Sequence, residues 1–493
     1  MLLKYLIKDI KPLKIFGYLN IDISNIVYDY IKAKQNSLFI CIEGFKNDGH
    51  NFINNAVNNG AVAVLIEKDL EEYKNNITYI KINNSRETMS NLASTFYNYP
   101  LEDLTLIGIT GTNGKTTTTY MVKSVIESAG YKTGLIGTIN VIIDKEKLPA
   151  TRTTPESLDL YRYFHKMREN NVEYIVMEVS SHALDLKRVQ GMKFQVTVFT
   201  NISQDHLDYH NSLKEYLQVK SKLFKQIQKN GYGVVNIDDE NSDTIIDTIK
   251  ENLLTYGIEK KADITAENID IGIQGVKFLI KDIGNINLNL TGRFNVYNAL
   301  AAITVGKALN LAEEEIKKNN KKLSGVPGRL EMINEGQNFG VIVDYAHTPD
   351  GMINVLKTAR EITQNKIIAV FGCGGDRDRG KRPKMGRIGV KYGDYSILTS
   401  DNPRSEDPDH ILEEIIAGID QDKYKNYEVI SDRKQAIFSS IKMAGKNDLI
   451  IIFGKGHETY QVFKDKTIHF DDREVVREAL SALLLEGETH ETT

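Results

Sequence analysis

Residues 105–118 read TLIGITGTNGKTTT, an apolar run followed by a turn of small residues, a lysine and several threonines. The pattern predicts a buried strand that runs into Gly111 and a helix that begins near Lys115. A helix N-terminus offers unpaired backbone N–H groups and the positive end of the helix dipole, and glycines let that backbone approach an anion closely. The stretch therefore predicts a phosphate-binding loop within an α/β fold.

The residues around this loop suit a nucleotide. Lys115 can place its charge on the β- and γ-phosphates, and the hydroxyl of Thr116 can bind Mg²⁺. The spacing is a variant of G-x-x-x-x-G-K-[ST], because Ile109 stands where the first glycine is usual. The alternative is a turn that binds nothing, which would not need a lysine between Gly114 and the threonines.

Composition limits the class of protein. The chain has 493 residues, which predicts about three domains, and its 62 basic and 66 acidic residues are mixed along the sequence. No basic tract indicates nucleic acid or an anionic membrane as a partner. The two cysteines, Cys41 and Cys373, form no disulfide framework or metal-ligand spacing. We expect a cytoplasmic enzyme that has no membrane segment and acts as a monomer.

The order of apolar runs predicts three domains with different sheets. Residues 1–100 form a small N-terminal α/β domain, and residues 101–325 form a central domain with a doubly wound, mostly parallel sheet and a P-loop-like ATP site. Residues 326–493 alternate buried strands with helices and predict a second open α/β sheet. Residues 262–290 alternate apolar and polar side chains with glycine turns, which predicts a small antiparallel sheet there.

Polar residues follow two strands of the predicted central sheet. Glu178 comes after the apolar run YIVM, and His206 follows the run VTVFT within a histidine-rich segment. Since Mg²⁺ takes few protein ligands beside a phosphate, Glu178 and His206 next to Thr116 would suffice to bind it. The alternative for each is an ordinary loop residue or a helix N-cap.

Lys220 interrupts an apolar stripe. Residues 212–230 predict one helix with a capping box at its start and Gly231 after its end. The stripe consists of Leu213, Leu217, Phe224 and Ile227. Lys220 falls in its middle, where a charged side chain costs several kcal/mol unless it is paired or neutralised. Three alternatives remain: the lysine reaches solvent along the helix, it pairs with the phosphate, or it is converted to a carbamate that binds metal.

Three strand ends near the C-terminus carry arginines and a carboxylate. They are GCGGDRDRGKRP (372–383) with Arg377, DNPR (401–404) with Arg404, and GKGHE (454–458) with Glu458. Arginine binds carboxylates with two parallel hydrogen bonds, and a glutamate suits an ammonium group. Together they predict a pocket for a zwitterionic amino acid, against the alternative of solvated charged loops.

These motifs, taken in order, resemble those of the Mur ligase family over nearly the whole chain. The matching segments are TGTNGKTTT, EVSSHALDLKRV, DHLDYH, the Lys220 helix, GRFNVYNALAA (292–302), GVPGRLE (325–331), DYAHTPD (344–350), GCGGDRDRGKRP, DNPR and GKGHE. The resemblance implies an N-terminal domain for the UDP end of the substrate, a central ATPase and a Rossmann-like C-terminal domain. It is strongest to members that add the third amino acid of the peptidoglycan stem peptide to UDP-N-acetylmuramoyl-L-alanyl-D-glutamate.

The resemblance also implies roles for individual residues. ATP would be held by Gly111, Thr112, Asn113, Gly114, Lys115, Thr116, Thr117, Asn298, Arg329, Asp344 and His347. The muramoyl dipeptide would contact Thr153, Thr154, Ser180 and Arg188. The incoming amino acid would contact Arg377, Asp401, Asn402, Pro403, Arg404, Gly454 and Glu458. Mg²⁺ would be bound by Thr116, Glu178, His206 and Lys220 as a carbamate, and the catalytic residues would be Lys115, Lys220, Glu178 and His206.

Arg404 implies the identity of the added amino acid. Members that add meso-2,6-diaminopimelate resemble this chain in having arginine after Asp-Asn-Pro, and lysine-adding members typically lack it. Diaminopimelate has a second carboxylate, and without it a buried arginine would stay unpaired. The resemblance thus implies ATP-dependent ligation through an acyl phosphate. The alternatives are a lysine-adding homologue and a non-catalytic sensor of wall precursors.

The sequence departs from the family's pattern in two places. Tyr30 and Ile31 stand where Ser-Arg is usual after an aspartate, and Leu186 stands where some members have a glutamine that touches the substrate. No uridine contact is therefore assigned to this chain.

Overall fold

The computed structural model describes residues 1–44, 47–150, 152–203, 209–272, 275–318, 326 and 328–491. It divides into two compact units, one of residues 1–265 with 299–316 and one of residues 266–298 with 317–493. Within the ranges just given, no helix is both long enough and apolar enough to cross a bilayer.

The first unit begins with a five-stranded sheet in the order β1-β5-β4-β3-β2. Its strands are β1 (Lys14–Phe16), β2 (Asn25–Val27), β3 (Ser37–Ile40), β4 (Ala61–Ile66) and β5 (Thr78–Lys81), and its helices are α1 (Leu3–Leu6), α2 (Ile53–Asn58) and α3 (Ser85–Phe96). Only β1 runs antiparallel to its neighbour in this sheet. The N-terminal α/β prediction is confirmed.

A nine-stranded sheet forms the rest of the first unit, in the order β14-β13-β12-β11-β6-β10-β7-β8-β9. The strands are β6 (Thr105–Thr110), β7 (Thr133–Ile136), β8 (Asn140–Ile143), β9 (Glu146–Pro149), β10 (Tyr174–Glu178), β11 (Phe194–Phe199), β12 (Ile227–Asn236), β13 (Asn252–Gly257) and β14 (Ile264–Thr265). The helices are α4 (Lys115–Ser128), α5 (Ser157–Glu169), α6 (Ser181–Asp185), α7 (Leu213–Ser221) and α8 (Ser242–Ile246). In the order just given, the strands from β14 to β7 are parallel, and β8 and β9 pair antiparallel at the edge. The prediction of a mostly parallel sheet is confirmed.

The predicted strand–turn–helix is present at residues 105–128. Gly114 has φ 81° and directly precedes α4, and Gly130 has φ 90° just after that helix. A Cβ at Gly111 would lie 1.9 Å from Thr200 Oγ1, so only glycine fits there. The end of β11 thus packs directly against the loop.

The helix predicted over residues 212–230 is wrong in its second half. The N-cap bond of the predicted capping box forms, since Glu215 N donates to Ser212 Oγ at 3.2 Å, but the Glu215 carboxylate accepts from Asn211 N, and α7 ends at Ser221. Residues from Ile227 onward form β12, which pairs with β11. Sheet pairing satisfies the backbone there and overrides the local helical pattern.

The second unit opens with a three-stranded antiparallel sheet, as the alternation of residues 262–290 predicts. Its strands are β15 (Glu267–Gly272), β16 (Gly275–Ile280) and β17 (Gly284–Leu288). The next helices along the chain, α9 (Arg293–Ala308) and α10 (Glu313–Lys318), belong for the most part to the first unit, which takes residues 299–316. The strands group with the C-terminal residues, and β15 contacts a helix at 349–362. The domain boundaries near residues 100 and 325 stay predictions.

A six-stranded sheet in the order β18-β19-β23-β20-β21-β22 completes the second unit. The strands are β18 (Glu331–Met332), β19 (Gly340–Asp344), β20 (Ile367–Phe371), β21 (Tyr395–Leu398), β22 (Tyr427–Val429) and β23 (Leu449–Phe453), with a hairpin of β24 (Tyr460–Val462) and β25 (Thr467–His469). The helices are α11 (Pro349–Ile362), α12 (Lys381–Tyr392), α13 (Pro408–Ile416), α14 (Arg433–Met443) and α15 (Asp472–Glu491). Within the six-stranded sheet all strands except β18 are parallel, so the loops after β19, β20, β21 and β23 lie at the same edge of that sheet.

Candidate functional site

The phosphate loop is held in shape by the residues after β11. Thr112 N donates to Asn201 O at 2.8 Å, and Asn113 N donates to Asn201 Oδ1 at 3.0 Å. Lys115 Nζ donates to Gly111 O at 3.0 Å and to Thr112 O at 2.9 Å. The lysine predicted to bind phosphate therefore lies over the loop that would hold it.

Thr116 and Glu178, predicted as neighbours, are in contact. Glu178 is fully buried, and Thr116 Oγ1 donates to its Oε2 at 3.0 Å. Thr138 donates to the same carboxylate through its backbone N at 2.8 Å and its hydroxyl at 3.0 Å. Thr138 is not among the predicted residues, although its place after β7, next to β10, was a usable signal. His206 lies outside the described residues.

Lys220 is buried at the base of the loop, as its position on the apolar stripe predicts. Its side chain is 1% exposed, and Nζ donates to Gly111 O at 2.7 Å. The ring centroid of Tyr216 lies 4.4 Å from Nζ. This burial rules out the alternative that the side chain reaches solvent. Two lysines, Lys115 and Lys220, thus donate to one carbonyl and concentrate positive charge there.

The residues predicted to contact the dipeptide form one network. Ser180 N donates to Thr154 Oγ1 at 3.1 Å, and Arg188 donates to Thr154 O at 2.9 Å. Thr153 Oγ1 lies 3.1 Å from Thr138 Oγ1, which joins this network to the Glu178 carboxylate. The structure therefore brings the whole predicted set together beside the phosphate loop.

Three arginines converge on a carboxylate that was not predicted. Glu156, which is 5% exposed, lies 3.0 Å from nitrogens of Arg86, Arg152 and Arg188. Burial lowers the pKa of Arg188, and Glu156 opposes that shift. Three guanidinium groups against one carboxylate leave excess positive charge, which suits an anionic substrate group. The position of Glu156, two residues after Thr154, was the one signal in the sequence.

Three of the residues predicted for the nucleotide in the second unit, Arg329, Asp344 and His347, lie around Tyr345. The carboxylate of Asp344 accepts two backbone N–H bonds at 2.7 and 2.8 Å. The Arg329 guanidinium lies 4.8 Å from the Tyr345 ring centroid, and His347 Nδ1 lies 2.9 Å from Tyr345 O. Asn298 is buried at 5% exposure in the same unit.

His457 extends this cluster and was not predicted. Its ring centroid lies 4.9 Å from that of Tyr345. Burial, Arg329 and Arg473 lower the pKa of His457 to about 4, so the ring is neutral at pH 7. In the GKGHE segment that contains it, roles were predicted only for Gly454 and Glu458.

Arg404 and Arg377 lie on adjacent loops of the C-terminal sheet. Arg404 Nη1 donates to Gly375 O at 2.7 Å, and its backbone N donates to Val462 O at 3.0 Å. Arg404 has φ 53°, a left-handed conformation that is uncommon for residues other than glycine. Arg377 is exposed. A cavity of about 570 Å³ beside Arg404 is lined by residues 403–408 and 463–466.

The other predicted contacts of the amino acid lie behind Arg404. Asn402 Nδ2 donates to Glu458 Oε2 at 2.9 Å, and Asn402 N donates to Asp401 Oδ1 at 2.6 Å. A Cβ at Gly454 would lie 2.5 Å from Asp401 Oδ2, so glycine is needed for this approach. Pro403 is buried. The structure thus brings the DNPR and GKGHE segments into contact, and their role in binding an amino acid stays a prediction.

Buried cations that were not predicted support these loops. Lys455 is 0% exposed, and burial lowers its pKa against the opposing effect of Asp401. Arg382, also 0% exposed, binds Glu406 at 2.8 Å and Glu414 at 2.7 Å. The GKGHE and GCGGDRDRGKRP segments each contain several charged residues, and the sequence does not show which of these side chains are buried.

Comparison with known families matches three consecutive regions. They are the Mur ligase family catalytic domain at residues 22–97, the Mur ligase middle domain at residues 109–306, and the Mur ligase glutamate ligase domain at residues 328–456.

Curated relatives match over the full length. The UDP-N-acetylmuramoyl-L-alanyl-D-glutamate--2,6-diaminopimelate ligase of Clostridium tetani is 47% identical over 491 residues, covering 98% of this chain and 100% of the relative. The protein of the same name from Caldanaerobacter subterraneus subsp. tengcongensis is 48% identical, covering 97% and 98%.

Solved structures agree with the fold. A structure of UDP-N-acetylmuramoyl-L-alanyl-D-glutamate--2,6-diaminopimelate ligase has a TM-score of 0.70 and 31% identity, covering 98% of this chain and 99% of that one. MurF from Acinetobacter baumannii has a TM-score of 0.64 at 20% identity, covering 92% and 95%, and shows the shared fold alone.

Proposed function

The chain belongs to the Mur ligase family, and we propose that it is the ATP-dependent ligase that joins meso-2,6-diaminopimelate to UDP-N-acetylmuramoyl-L-alanyl-D-glutamate in peptidoglycan synthesis. Relatives with that activity in their names are 45–48% identical over nearly the whole chain. The observation that carries the choice of amino acid is Arg404, which lies beside a cavity and close to the loop of Glu458.

The reaction begins with phosphoryl transfer. The γ-carboxylate of the D-glutamyl residue attacks the γ-phosphorus of ATP, the bond to the β-phosphate oxygen breaks, and ADP leaves. Lys115 and the N–H groups at the start of α4 stabilise the charge on the phosphates. The product of this step is an acyl phosphate.

Amide formation completes the reaction. The amino group of diaminopimelate, as the free amine, attacks the acyl carbon, and inorganic phosphate leaves as the C–N bond forms. The nitrogen then loses its extra proton. Arg404 binds the second carboxylate of the amino acid and Glu458 binds an ammonium group, so the attacking nitrogen is oriented.

The residues around Glu178 fit Mg²⁺. A buried carboxylate and the hydroxyl of Thr116 are hard oxygen ligands. Thr116 is in the first turn of the helix that would hold the phosphates, and the Glu178 carboxylate at the end of β10 contacts it. When bound, Mg²⁺ would neutralise charge on the transferred phosphoryl group. We assign Thr116, Glu178 and His206 to it. Lys220 joins them only as a carbamate, because an ammonium group cannot bind a cation.

The dipeptide is held by Thr153, Thr154, Ser180 and Arg188. Arg188 and its neighbouring arginines supply the charge to bind the substrate's carboxylates, and Ser180 and Thr154 supply hydroxyl groups. Because these groups adjoin Glu178, the glutamyl carboxylate is brought to the phosphate loop. We place the enzyme in the cytoplasm, where ATP is supplied.

Two alternatives make different predictions. A lysine-adding enzyme would leave the charge of Arg404 without a partner in the bound state. A non-catalytic sensor would not require Lys115, Glu178 and Lys220 to meet at one loop.

Release of ADP tests the proposal. We expect release only when the UDP-dipeptide and diaminopimelate are both present, with one ADP for each product formed. Turnover with lysine but not diaminopimelate would contradict the assignment. Tight binding of the UDP-dipeptide with no ADP release under any condition would favour the sensor.

A further inference from the structure

Lys455 occupies an unusual position in the loop after β23. Its side chain is 0% exposed, although lysine is almost never fully buried without a partner. The flanking residues Gly454 and Gly456 have φ of 110° and 52°, which few other residues adopt. The two glycines turn the chain so that the lysine side chain points into the second unit.

The ammonium group of Lys455 contacts two residues of the amino-acid site. Nζ lies 3.2 Å from Asn402 Oδ1 and 3.3 Å from Glu458 Oε2. Asn402 Nδ2 donates to the same Glu458 oxygen at 2.9 Å. Lys455, Asn402 and Glu458 therefore form a closed triangle of hydrogen bonds, which we call the Lys455 triangle.

Both polar atoms of the Asn402 side chain are hydrogen-bonded within the protein. Its Oδ1 accepts from Lys455 and from Val462 N at 3.0 Å, and its Nδ2 donates to Glu458. Glu458 Oε2 has two donors. Among the described residues, none forms a hydrogen bond with Glu458 Oε1, and the side chain is 17% exposed. One carboxylate oxygen is thus fixed within the protein and the other is available.

We propose that Lys455 is a positioning residue that fixes Glu458 so that Oε1 receives an ammonium group of the incoming amino acid. It acts through Glu458 and makes no contact with the substrate. Its charge also offsets one of the nearby carboxylates, Asp401 and Glu458, so that the site stays suited to a zwitterion. The inference rests on the proposed function and adds to it the group that orients the amino-acid ligand.

Steady-state kinetics of Lys455→Met tests the inference in the full-length enzyme. Removing one partner of a buried charge pair leaves the other charge buried and unpaired, so we expect KM for diaminopimelate to rise at least about tenfold. KM for ATP and for the UDP-dipeptide should change less than about twofold. Lys434→Met is the matched control, since Lys434 forms an exposed pair with Glu478, and it should leave all three KM values unchanged.

A double-mutant cycle separates positioning from general support of the fold. In a Glu458→Gln background, Lys455→Met should raise KM for diaminopimelate by less than about twofold, because its target is already lost. Effects that multiply, or equal rises in all three KM values, would overturn the inference. If Lys455→Met does not fold, Lys455→Gln takes its place in both measurements, with the same expected outcomes.

The outcomes also distinguish the inference from the proposed function. A wild-type enzyme that does not use diaminopimelate would count against the proposed function. A wild-type enzyme that uses it, with an unchanged KM in Lys455→Met, would count against Lys455 alone.

Discussion

Lys220 shows what can be predicted about a single residue. Its place on an apolar stripe predicts an inward side chain, and the structure confirms it at 1% exposure. Its acceptor, Gly111 O, lies 109 residues earlier in the chain and could not be predicted from local pattern. Thr138 and Glu156 were not predicted for a similar reason, because Thr138 contacts Glu178, and Glu156 pairs with Arg86 and Arg188, across distant segments.

We predict that Lys220 is carbamylated in the active enzyme. Carbamylation would convert the buried ammonium group of Lys220 into an anionic carbamate near Thr116 and Glu178. A carbamate oxygen, unlike an ammonium group, can bind a metal ion. In the presence of ¹³C-bicarbonate, an NMR signal of a carbamate carbon should appear in the wild type and be missing in Lys220→Met. Full activity with no such signal would contradict the prediction, and so would a signal of the same size in the variant.

At the scale of elements, the position of Glu178 depends on the turn after β7. A Cβ at Gly137 would lie 2.5 Å from Glu178 Oε1. Gly137→Ala should therefore displace the carboxylate, raise the Mg²⁺ concentration needed for half-maximal activity about tenfold, and leave the far-UV circular dichroism unchanged.

A matched glycine substitution is the control for this prediction. At Gly272 the nearest atom to an added Cβ lies 3.8 Å away, so Gly272→Ala should not alter the Mg²⁺ requirement. An unchanged requirement in Gly137→Ala would show that Glu178 does not bind the metal.

The elements themselves were predictable where the local pattern and tertiary pairing agree. The strand, loop and helix at residues 105–128 were predicted because glycine, lysine and apolar spacing all indicate one structure. The helix over 212–230 failed after Ser221, because residues from Ile227 pair with β11. The pairing with β11 cannot be predicted from the local sequence, because β11 is a separate segment of the chain.

At the scale of the whole molecule, two ion pairs join α3 to the central part of the first unit. Arg86 pairs with Glu156 at side-chain exposures of 17% and 6%, and Lys187 pairs with Glu87 at 39% and 50%. We predict that Arg86→Ala lowers the free energy of unfolding by about 1–3 kcal/mol, because it leaves a buried carboxylate with one donor fewer.

Lys187→Ala is the matched control and should change the free energy of unfolding by less than about 0.5 kcal/mol, because exposed pairs contribute little. Urea titrations of both variants provide the comparison. Equal losses would indicate that Arg86 is not a specific link between the two parts.

Three α/β sheets and a small antiparallel sheet were predictable from the alternation of apolar runs and helices, and all four are present. The grouping of residues 266–298 with the C-terminal unit was not, because it depends on packing between β15 and α11. The contact between the DNPR and GKGHE segments was predictable from their strand ends, whereas the burial of Lys455 was not.

The central claim is that Arg404 selects diaminopimelate for ATP-dependent ligation. The most direct test is the ratio of kcat/KM for diaminopimelate to that for lysine, in the wild type, in Arg404→Ala, and in Arg379→Ala as a control at an exposed arginine paired with Glu414. The wild type and the control should favour diaminopimelate at least about 100-fold, and Arg404→Ala should lose most of that preference with little change in KM for ATP. A wild-type preference for lysine, or an unchanged ratio in Arg404→Ala, would contradict the claim.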